Sequence, residues 1–508
     1  MIERLIEQLS RPDAYPHGAE HLQIHQTHAS VVFLAGGYAY KFKKPVDLKF
    51  VDYSTFEKRV HFCRREIELN ERLAPDVYLS VVGVVEGEGG LRIDLDADPD
   101  ADEVIEPAVR MRRLNEEDTL LARFDRGAIP PGIFDRLGRV LARFHSKAER
   151  GEHVDEYARF EVVEKNGLDN FAQAQEQVGQ TVYPEVFHRL EMLTRRRLDE
   201  LEALISKRAD AGVARDTHGD LRLEHVYVTG DEIRVVDCIE FNEAFRYADP
   251  VSDIAFLAMD LGFRGHDDEA AQLLDSYFEQ CGDSEGRKLV DFYVAYRSCV
   301  RAKVHGMKSM ESEVPEEQRQ IAGRKARAHW LYALATLEES GEGPELLLLA
   351  GLPAAGKSTL GRRMVQRGEV DVLIETDVVR KELAGLDPEV SADAEFGAGI
   401  YTREFSEKTY REVFRRAAGQ LEKGRRVAIA ATFVSDQRRV EAIEVARRLG
   451  VPVRFIECKI PDEVARKRLI EREDDVSDAG VEVYEKLKQA WEMPSPPVAR
   501  VHEVRKTF

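Results

Sequence analysis

The sequence predicts two domains: an α+β N-terminal domain followed by an α/β domain built on a parallel sheet. Three observations lead there. At 508 residues the chain is long enough for at least two separate cores. Gly351-Leu-Pro-Ala-Ala-Gly-Lys-Ser358 is a complete GxxxxGK[ST] phosphate-binding loop, yet it begins only after two-thirds of the chain. Immediately ahead of it, Glu338-Glu-Ser-Gly-Glu-Gly-Pro344 is rich in residues that end helices and turn the chain. The boundaries that follow are 1–335 for the first domain, 336–344 for a linker and 345–508 for the second.

The flanks of the loop support its chemistry. Leu346 to Ala350 is a short apolar run suited to a buried parallel strand. Downstream, Thr359-Leu-Gly-Arg-Arg-Met364 continues as a helix until Gly368 stops it. A strand, a glycine turn and a helix N-terminus direct backbone N–H groups and the helix dipole at an anion. Gly351, Gly356, Lys357, Ser358 and Thr359 are therefore the nucleotide-binding candidates. Lys357 reaches the β- and γ-phosphates, and Ser358 holds Mg²⁺.

Composition narrows the class. Apolar residues make up 43% and charged residues 33%, as in a folded soluble protein. A net charge of −20 argues against nucleic acid or an anionic membrane as a partner. The N-terminus carries acids and no apolar core, unlike a signal peptide, and no apolar run approaches a membrane span. Five scattered cysteines, odd in number and without metal-type spacing, are expected to be buried thiols in a reducing cytoplasm.

The first 335 residues hold an ordered set of candidate elements. Val31 to Leu34, the turn Ala35-Gly-Gly37 and Tyr38 to Lys43 read as a hairpin, with Lys41 and Lys43 on one face. Glu66 and Glu68 follow in a helical stretch, and Leu137, Val140, Leu141 and Phe144 keep helical spacing. His145 is expected to pack or cap there. His218-Gly-Asp-Leu-Arg-Leu-Glu-His225 precedes the strand Val226 to Val228. Ile233 to Asp237 is a strand ending in a carboxylate, and Ala248-Asp-Pro-Val-Ser-Asp253 opens a helix. An ionised Asp220 can accept the proton of an attacking hydroxyl or orient that hydroxyl, while Asp237 brings the metal that neutralises phosphate charge. The acidic loop 94–100 lacks the turn glycine and distal glutamate of a calcium site.

This order resembles the aminoglycoside phosphotransferase branch of the protein-kinase-like fold. The resemblance implies a bilobal α+β domain. It implies that Lys41, or else Lys43, pairs with the nucleotide phosphates, that Glu66 steadies that lysine, and that Met111 sits near the lobe-connecting hinge. It also implies Asp220 as the catalytic carboxylate, Asp237 as a metal ligand and 249–253 as the brace of the catalytic loop. Two departures stand out. His225 occupies the place of the usual metal-binding asparagine, and imidazole suits softer divalent metals, so Mn²⁺ is an alternative to Mg²⁺ here. No glycine-rich loop covers the phosphates; Gly36-Gly37 reads as the turn itself.

Residues 345–508 resemble the small P-loop kinases, a group that includes gluconate kinase-like, polynucleotide kinase and zeta-toxin-like enzymes. Thr376, Asp377, Arg380 and Lys381 match the family's S/T-D-x-x-R-K signature, which implies Asp377 as base and Arg380 as a substrate or phosphate contact. Ala430 stands where relatives often carry an acidic metal contact. The stretch 462–473 reads as a helix, with Arg468 and Arg472 matching an R-L-x-x-R lid whose arginines stabilise the transferring phosphoryl group. Ser477-Asp-Ala479 resembles the segment after that lid. The resulting expectation is a cytoplasmic, bifunctional phosphotransferase using ATP and Mg²⁺ on small-molecule hydroxyl acceptors. The alternatives are a nucleotide-sensing regulator with one impaired domain, and a 5′-hydroxyl polynucleotide kinase activity in the C-terminal domain. Neither the acceptors nor the oligomeric state can be read from the sequence.

Overall fold

The computed structural model describes every residue except 1, 20, 49–50, 88, 340, 388–398, 472–479, 500 and 507–508. The chain divides into two compact units. The first comprises 1–163, 202–262 and 266–290; the second comprises 164–201, 263–265 and 291–508.

The first unit opens with a six-stranded antiparallel sheet. Its strands are β1 (Leu22–Gln26), β2 (Ser30–Ala35), β3 (Tyr38–Lys43), β4 (Tyr78–Gly87), β5 (Gly90–Asp94) and β6 (Val104–Arg112), in the order β1-β2-β3-β6-β4-β5. The β2–β3 turn is only Gly36-Gly37, and Gly36 takes φ +59°, a conformation that glycine adopts without strain. The two-residue period of β3 sorts its side chains. Tyr40 and Phe42 join a core with Phe33, Val82, Leu91 and Ile93, while Ala39 turns to the opposite face, against Cys63 and Val109. Lys41 and Lys43 share the parity of Ala39 and so face helix Phe56–Asn70, which Thr55 caps by accepting from the Lys58 amide at 3.3 Å. Short pairs follow: β7 (Arg215–Asp216) with β10 (Tyr247–Ala248), and β8 (Val226–Thr229) with β9 (Glu232–Val235). Helix Ile133–Lys147 buries Leu137, Leu141 and Phe144 of the predicted stripe, while Val140 is half-buried; His145 is buried as well. At Gly138 a Cβ would lie 2.6 Å from the Leu273 carbonyl, so glycine permits the close approach of helix Asp267–Cys281.

The second unit is built on a five-stranded, wholly parallel sheet. Its strands are β11 (Leu346–Ala350), β12 (Val372–Glu375), β13 (Val427–Ala430), β14 (Val453–Lys459) and β15 (His502–Lys506), in the order β12-β13-β11-β14-β15. All five residues of β11 are buried, as befits the central strand of a sheet covered on both faces. The core of this sheet continues into helical residues that precede 336. Phe171, Phe187, Trp330 and Leu334 pack in one cluster with Leu346, Leu348, Ile429 and Phe455. The segment 336–344 is accordingly tied down. Helix Glu316–Leu337 takes its first two residues, Arg189 pairs with Glu338, and Arg426 Nη1 donates to the Gly341 carbonyl at 3.1 Å.

Two expectations need correction. Four cysteines are buried, but Cys281 is exposed, because it falls in the last turn of its helix on the solvent side. Strand β9 ends at Val235, so Asp237 lies beyond it and not at a strand end, whereas Asp377 sits in the first turn of helix Thr376–Leu383. No described helix is long and apolar enough to cross a membrane.

Candidate active sites

The first unit gathers its charged residues around Glu66. Lys41 Nζ donates to Glu66 Oε1 (2.8 Å) and to Asp237 Oδ1 (3.0 Å), while Lys43 Nζ donates to Glu66 Oε2 (2.7 Å) and pairs with Glu240. Both lysines expected on one face thus meet one carboxylate, and only Lys41 also reaches Asp237. Glu68 instead pairs with Arg65. Burial opposes the charge of Lys41, but Asp237, Glu66 and Glu240 outweigh it and hold its pKa well above the ordinary lysine value. In return Lys41 holds the Asp237 carboxyl well below the usual carboxylate range. Glu240, whose Oε1 also accepts from Tyr53 at 2.5 Å, was missed by sequence reasoning. The available signal was a carboxylate three residues after Asp237 in an otherwise apolar stretch.

Asp237 has φ +64°, a left-handed backbone that a non-glycine residue keeps only where its surroundings impose it. Here the Tyr78 hydroxyl accepts from the Asp237 amide at 3.1 Å and Asn70 Oδ1 accepts from the Cys238 amide at 2.9 Å. Half of the Asp237 side-chain surface remains open.

The loop carrying Asp220 hangs from the helix Pro250–Phe263. Asp253 accepts from the His218 amide (3.0 Å) and the Gly219 amide (2.9 Å), and Asp260 accepts from the Leu223 amide (3.0 Å). Gly219 takes φ +84°, and a Cβ there would lie 2.8 Å from the Phe245 carbonyl. His145 packs as expected, with Nε2 3.1 Å from Asp253 Oδ2 and Nδ1 2.8 Å from the Tyr277 hydroxyl. Asp249 forms a buried two-point pair with Arg208 at 2.6 and 3.0 Å. His218 is pushed down to about 4 by burial, so it is neutral and structural. Arg222, another residue the sequence reading missed, donates two bonds to Asp220 at 2.8 and 2.7 Å. His225 Nε2 lies 3.7 Å from Asp237 Oδ2, so Asp220, His225, Asp237, Lys41 and Glu66 form one connected group. Met111 lies buried near the end of β6, adjoining Arg112.

In the second unit, the Gly351–Ser358 loop joins β11 to helix Lys357–Gln366. Gly351 has φ +147°, and a Cβ there would lie 2.6 Å from the Cys458 carbonyl. Gly356 has φ +88° and caps the helix, leaving Lys357, Ser358 and Thr359 in its first turn. Ala354 also takes positive φ, +63°. Lys357 Nζ donates to the Leu352 carbonyl at 3.0 Å.

Asp377 and Arg380 come together, with Nη1 3.6 Å from Oδ1, and the Arg380 guanidinium lies 4.8 Å from the centre of the Tyr401 ring. Arg380 Nε is buried and has no hydrogen-bond partner among the described residues. Thr376 Oγ1 donates to the Ala430 carbonyl at 3.1 Å. The loop after β13 is held by Arg439, which is buried and donates to the Phe433, Val434 and Glu492 carbonyls at 2.8, 3.1 and 2.9 Å. Arg468 Nη1 donates to the Ala354 carbonyl of the phosphate loop at 3.2 Å, whereas Lys467 takes the pairing with Glu471. The helix expected over 462–473 is seen over Asp462–Ile470, and Arg472 and 477–479 lie outside the described residues. Among the described residues no three His, Cys, Asp or Glu side chains cluster to hold a metal by themselves.

Two charged centres on two different folds, together with the family matches given next, define a protein of the kinase class. A bilobal phosphotransferase domain of the aminoglycoside-phosphotransferase type is followed by a P-loop kinase-like domain, both of a nucleotide-binding kind that uses ATP, usually with a divalent metal. Residues 56–293 match the phosphotransferase enzyme family, and residues 346–494 match an AAA domain. The chain belongs to the same protein family as Rv2004c of Mycobacterium tuberculosis (strain ATCC 25618 / H37Rv) and Mb2027c of Mycobacterium bovis. It is 32% identical to each over 472 residues, covering 93% of this chain and 90% of the relative. Among solved structures, a choline/ethanolamine kinase family protein from Mesorhizobium loti matches 66% of this chain and 96% of its own, at 16% identity and a TM-score of 0.41. A gluconokinase from Sinorhizobium meliloti 1021 matches 33% of this chain and 84% of its own, at 16% identity and a TM-score of 0.23.

Proposed function

We propose that the protein is a bifunctional phosphotransferase with one site per domain, residues 1–335 and 345–508, each moving the γ-phosphoryl of ATP to a hydroxyl of a small molecule. The observation that carries the reading is the pairing of Lys41 with both Glu66 and Asp237, within reach of the loop that presents Asp220. In the N-terminal site Lys41 binds the α- and β-phosphates and Asp237 faces the metal. Mg²⁺, when bound, neutralises charge on the phosphates. Asp220 accepts the proton of the acceptor hydroxyl as its oxygen bonds to the γ-phosphorus. The bond from that phosphorus to the bridging oxygen breaks, and ADP leaves with the electron pair. Arg222 takes one bond on each Asp220 oxygen, and a remaining lone pair accepts the acceptor's proton.

In the C-terminal site the amides of Gly351–Ser358 and Lys357 hold the phosphates, Ser358 provides the metal-side hydroxyl, and Thr359 adds a first-turn donor. Asp377 serves as base. The unpartnered Nε of Arg380 supports an anionic group on the acceptor or the phosphoryl itself as its ligand. Arg468 approaches the transferring group from the loop's own edge.

The test is ADP release from the full chain over a panel of sugars, aminoglycosides, nucleosides and RNA 5′ ends. It is run on wild type, Asp220→Asn and Lys357→Ala. Acceptors lost only in Asp220→Asn belong to the N-terminal site, and those lost only in Lys357→Ala belong to the other. Turnover unaffected by both substitutions would sink the assignment.

A further inference from the structure

We propose that Lys43 and Glu240 are positioning residues of the N-terminal site, a buried ion pair that holds Glu66, and through it Lys41, when nucleotide phosphates draw Lys41 away from Asp237. The inference deepens, and rests on, the reading of this site as a nucleotide centre.

The charged groups form two rungs that share Glu66. In the outer rung Lys41 Nζ donates to Glu66 Oε1 at 2.8 Å and to Asp237 Oδ1 at 3.0 Å. In the inner rung Lys43 Nζ donates to Glu66 Oε2 at 2.7 Å and pairs with Glu240. The two lysines stand two residues apart on β3, which sends both to one side. Exposure separates the rungs: the side chains of Lys41 and Asp237 are 16% and 51% exposed, those of Lys43 and Glu240 only 1% and 6%. A ligand reaches the outer rung alone, so Lys43 is not the phosphate lysine. Its bond to Glu66 persists while phosphates compete with Asp237 for Lys41. A carboxylate bonded at one oxygen can turn about its own axis. Held at both oxygens, Glu66 keeps a fixed plane with Oε1 aimed at Lys41.

The inner rung is anchored in turn. Glu240 Oε1 accepts from the Tyr53 hydroxyl at 2.5 Å, and Lys43 Nζ lies 4.8 Å from the centre of the Tyr53 ring. The Tyr53 carbonyl accepts from Arg59 Nη1 at 3.0 Å, and Arg59 Nη2 donates to the buried Glu106 at 2.9 Å. Asn70 makes a second tie between the helix of Glu66 and the segment of Glu240. Its Nδ2 donates to the Glu66 carbonyl at 2.8 Å, and its Oδ1 accepts from the Cys238 amide at 2.9 Å. Burial opposes the charge of Lys43, but Glu240 and Glu66 outweigh it and hold its pKa well above the ordinary value. Burial likewise opposes the charge of Glu240, and Lys43 and Lys41 outweigh it. The pair is therefore ionised at neutral pH. A buried ion pair adds little stability over apolar side chains of similar volume, so what this one contributes is position.

The test uses the full chain carrying Lys357→Ala, which leaves phosphate-dependent nucleotide binding to the N-terminal site. Affinities for AMP-PNP with Mg²⁺ and for adenosine are measured by calorimetry and by saturation-transfer NMR. The pair is removed together, as Lys43→Met with Glu240→Leu, because either change alone strands a buried charge. AMP-PNP affinity is expected to fall about tenfold, the scale on which supporting contacts of a site act. Adenosine, which has no phosphate for Lys41, is expected to bind unchanged. Glu240→Gln keeps an acceptor for Tyr53 and serves if the double variant does not fold; it is expected to show the same split between the two ligands. Unchanged AMP-PNP affinity, or equal losses for AMP-PNP and adenosine, overturns the positioning role and leaves the nucleotide site standing. No AMP-PNP binding in the Lys357→Ala chain overturns the site reading together with this inference.

Discussion

Removing the carboxylate of Asp253 is expected to release the loop that carries Asp220 while leaving Lys41 untouched. In Asp253→Ala the buried amides of His218 and Gly219 lose their acceptor, and His145 Nε2 loses its partner. An orphaned buried donor costs about 1–3 kcal/mol, so the two amides together cost about 2–6 kcal/mol of local stability. At 1.4 kcal/mol per decade that is roughly 30-fold to 10⁴-fold in hydrogen-exchange protection of those amides. The chain has two compact units, so a single global melting curve is the wrong readout and residue-resolved exchange is the right one. Asp253 bonds the loop that carries Asp220 and does not touch Lys41. N-terminal turnover is therefore expected to fall in kcat with KM for ATP nearly constant. Asp253→Asn, which keeps one acceptor oxygen, is expected to lie between. Full protection of both amides and an unchanged kcat in folded Asp253→Ala would refute the reasoning.

Four further outcomes are expected. Glu66→Ala leaves Lys41 and Lys43 without their shared carboxylate, and ATP affinity at the N-terminal site falls about tenfold or more by titration calorimetry; equal affinity means Glu66 does not position Lys41. Trp330→Ala empties part of the core shared with the parallel sheet, costs about 3–5 kcal/mol and lowers the temperature at which the P-loop site loses nucleotide; an unmoved transition argues that the helices contribute nothing to that sheet. His218 titrates at about 4 in the fold against about 6.5 unfolded. Its folded value is depressed, so only the unfolded chain takes the proton between those limits. Stability is complete above pH 6.5 and falls by about 1.4 kcal/mol per pH unit toward pH 4. Unfolding of the first unit at pH 7, 6 and 5 is expected to show a shallower slope in His218→Gln, and identical slopes contradict the assignment. Arg468→Ala is expected to lower C-terminal kcat by about 10²-fold with ATP affinity changed little; a loss confined to affinity makes Arg468 a loop brace only.

Much of both sites was legible because short-range rules encode it. The alternation of Tyr38 to Lys43 put two lysines on the face that meets Glu66, and strand–turn–helix chemistry fixed the phosphate loop. What stayed hidden is made of long-range partners. Glu240 meets Lys43 and Tyr53 from 197 and 187 residues away, and nothing local in Tyr53 announces that bond. Arg222 looks like a surface arginine until the loop curls it back onto Asp220. The helical residues that share the core of the parallel sheet carry ordinary apolar stripes, and a stripe states that a face is buried without naming its partner.

Nucleotide stoichiometry on the intact chain tests the central claim most directly. Titrating full-length protein with AMP-PNP and Mg²⁺ is expected to give two sites per chain, falling to one in Lys357→Ala, to one in Asp237→Ala, and to none in the double variant. A single site in the wild type, or two sites surviving either substitution, would contradict the account of two independent phosphotransfer centres.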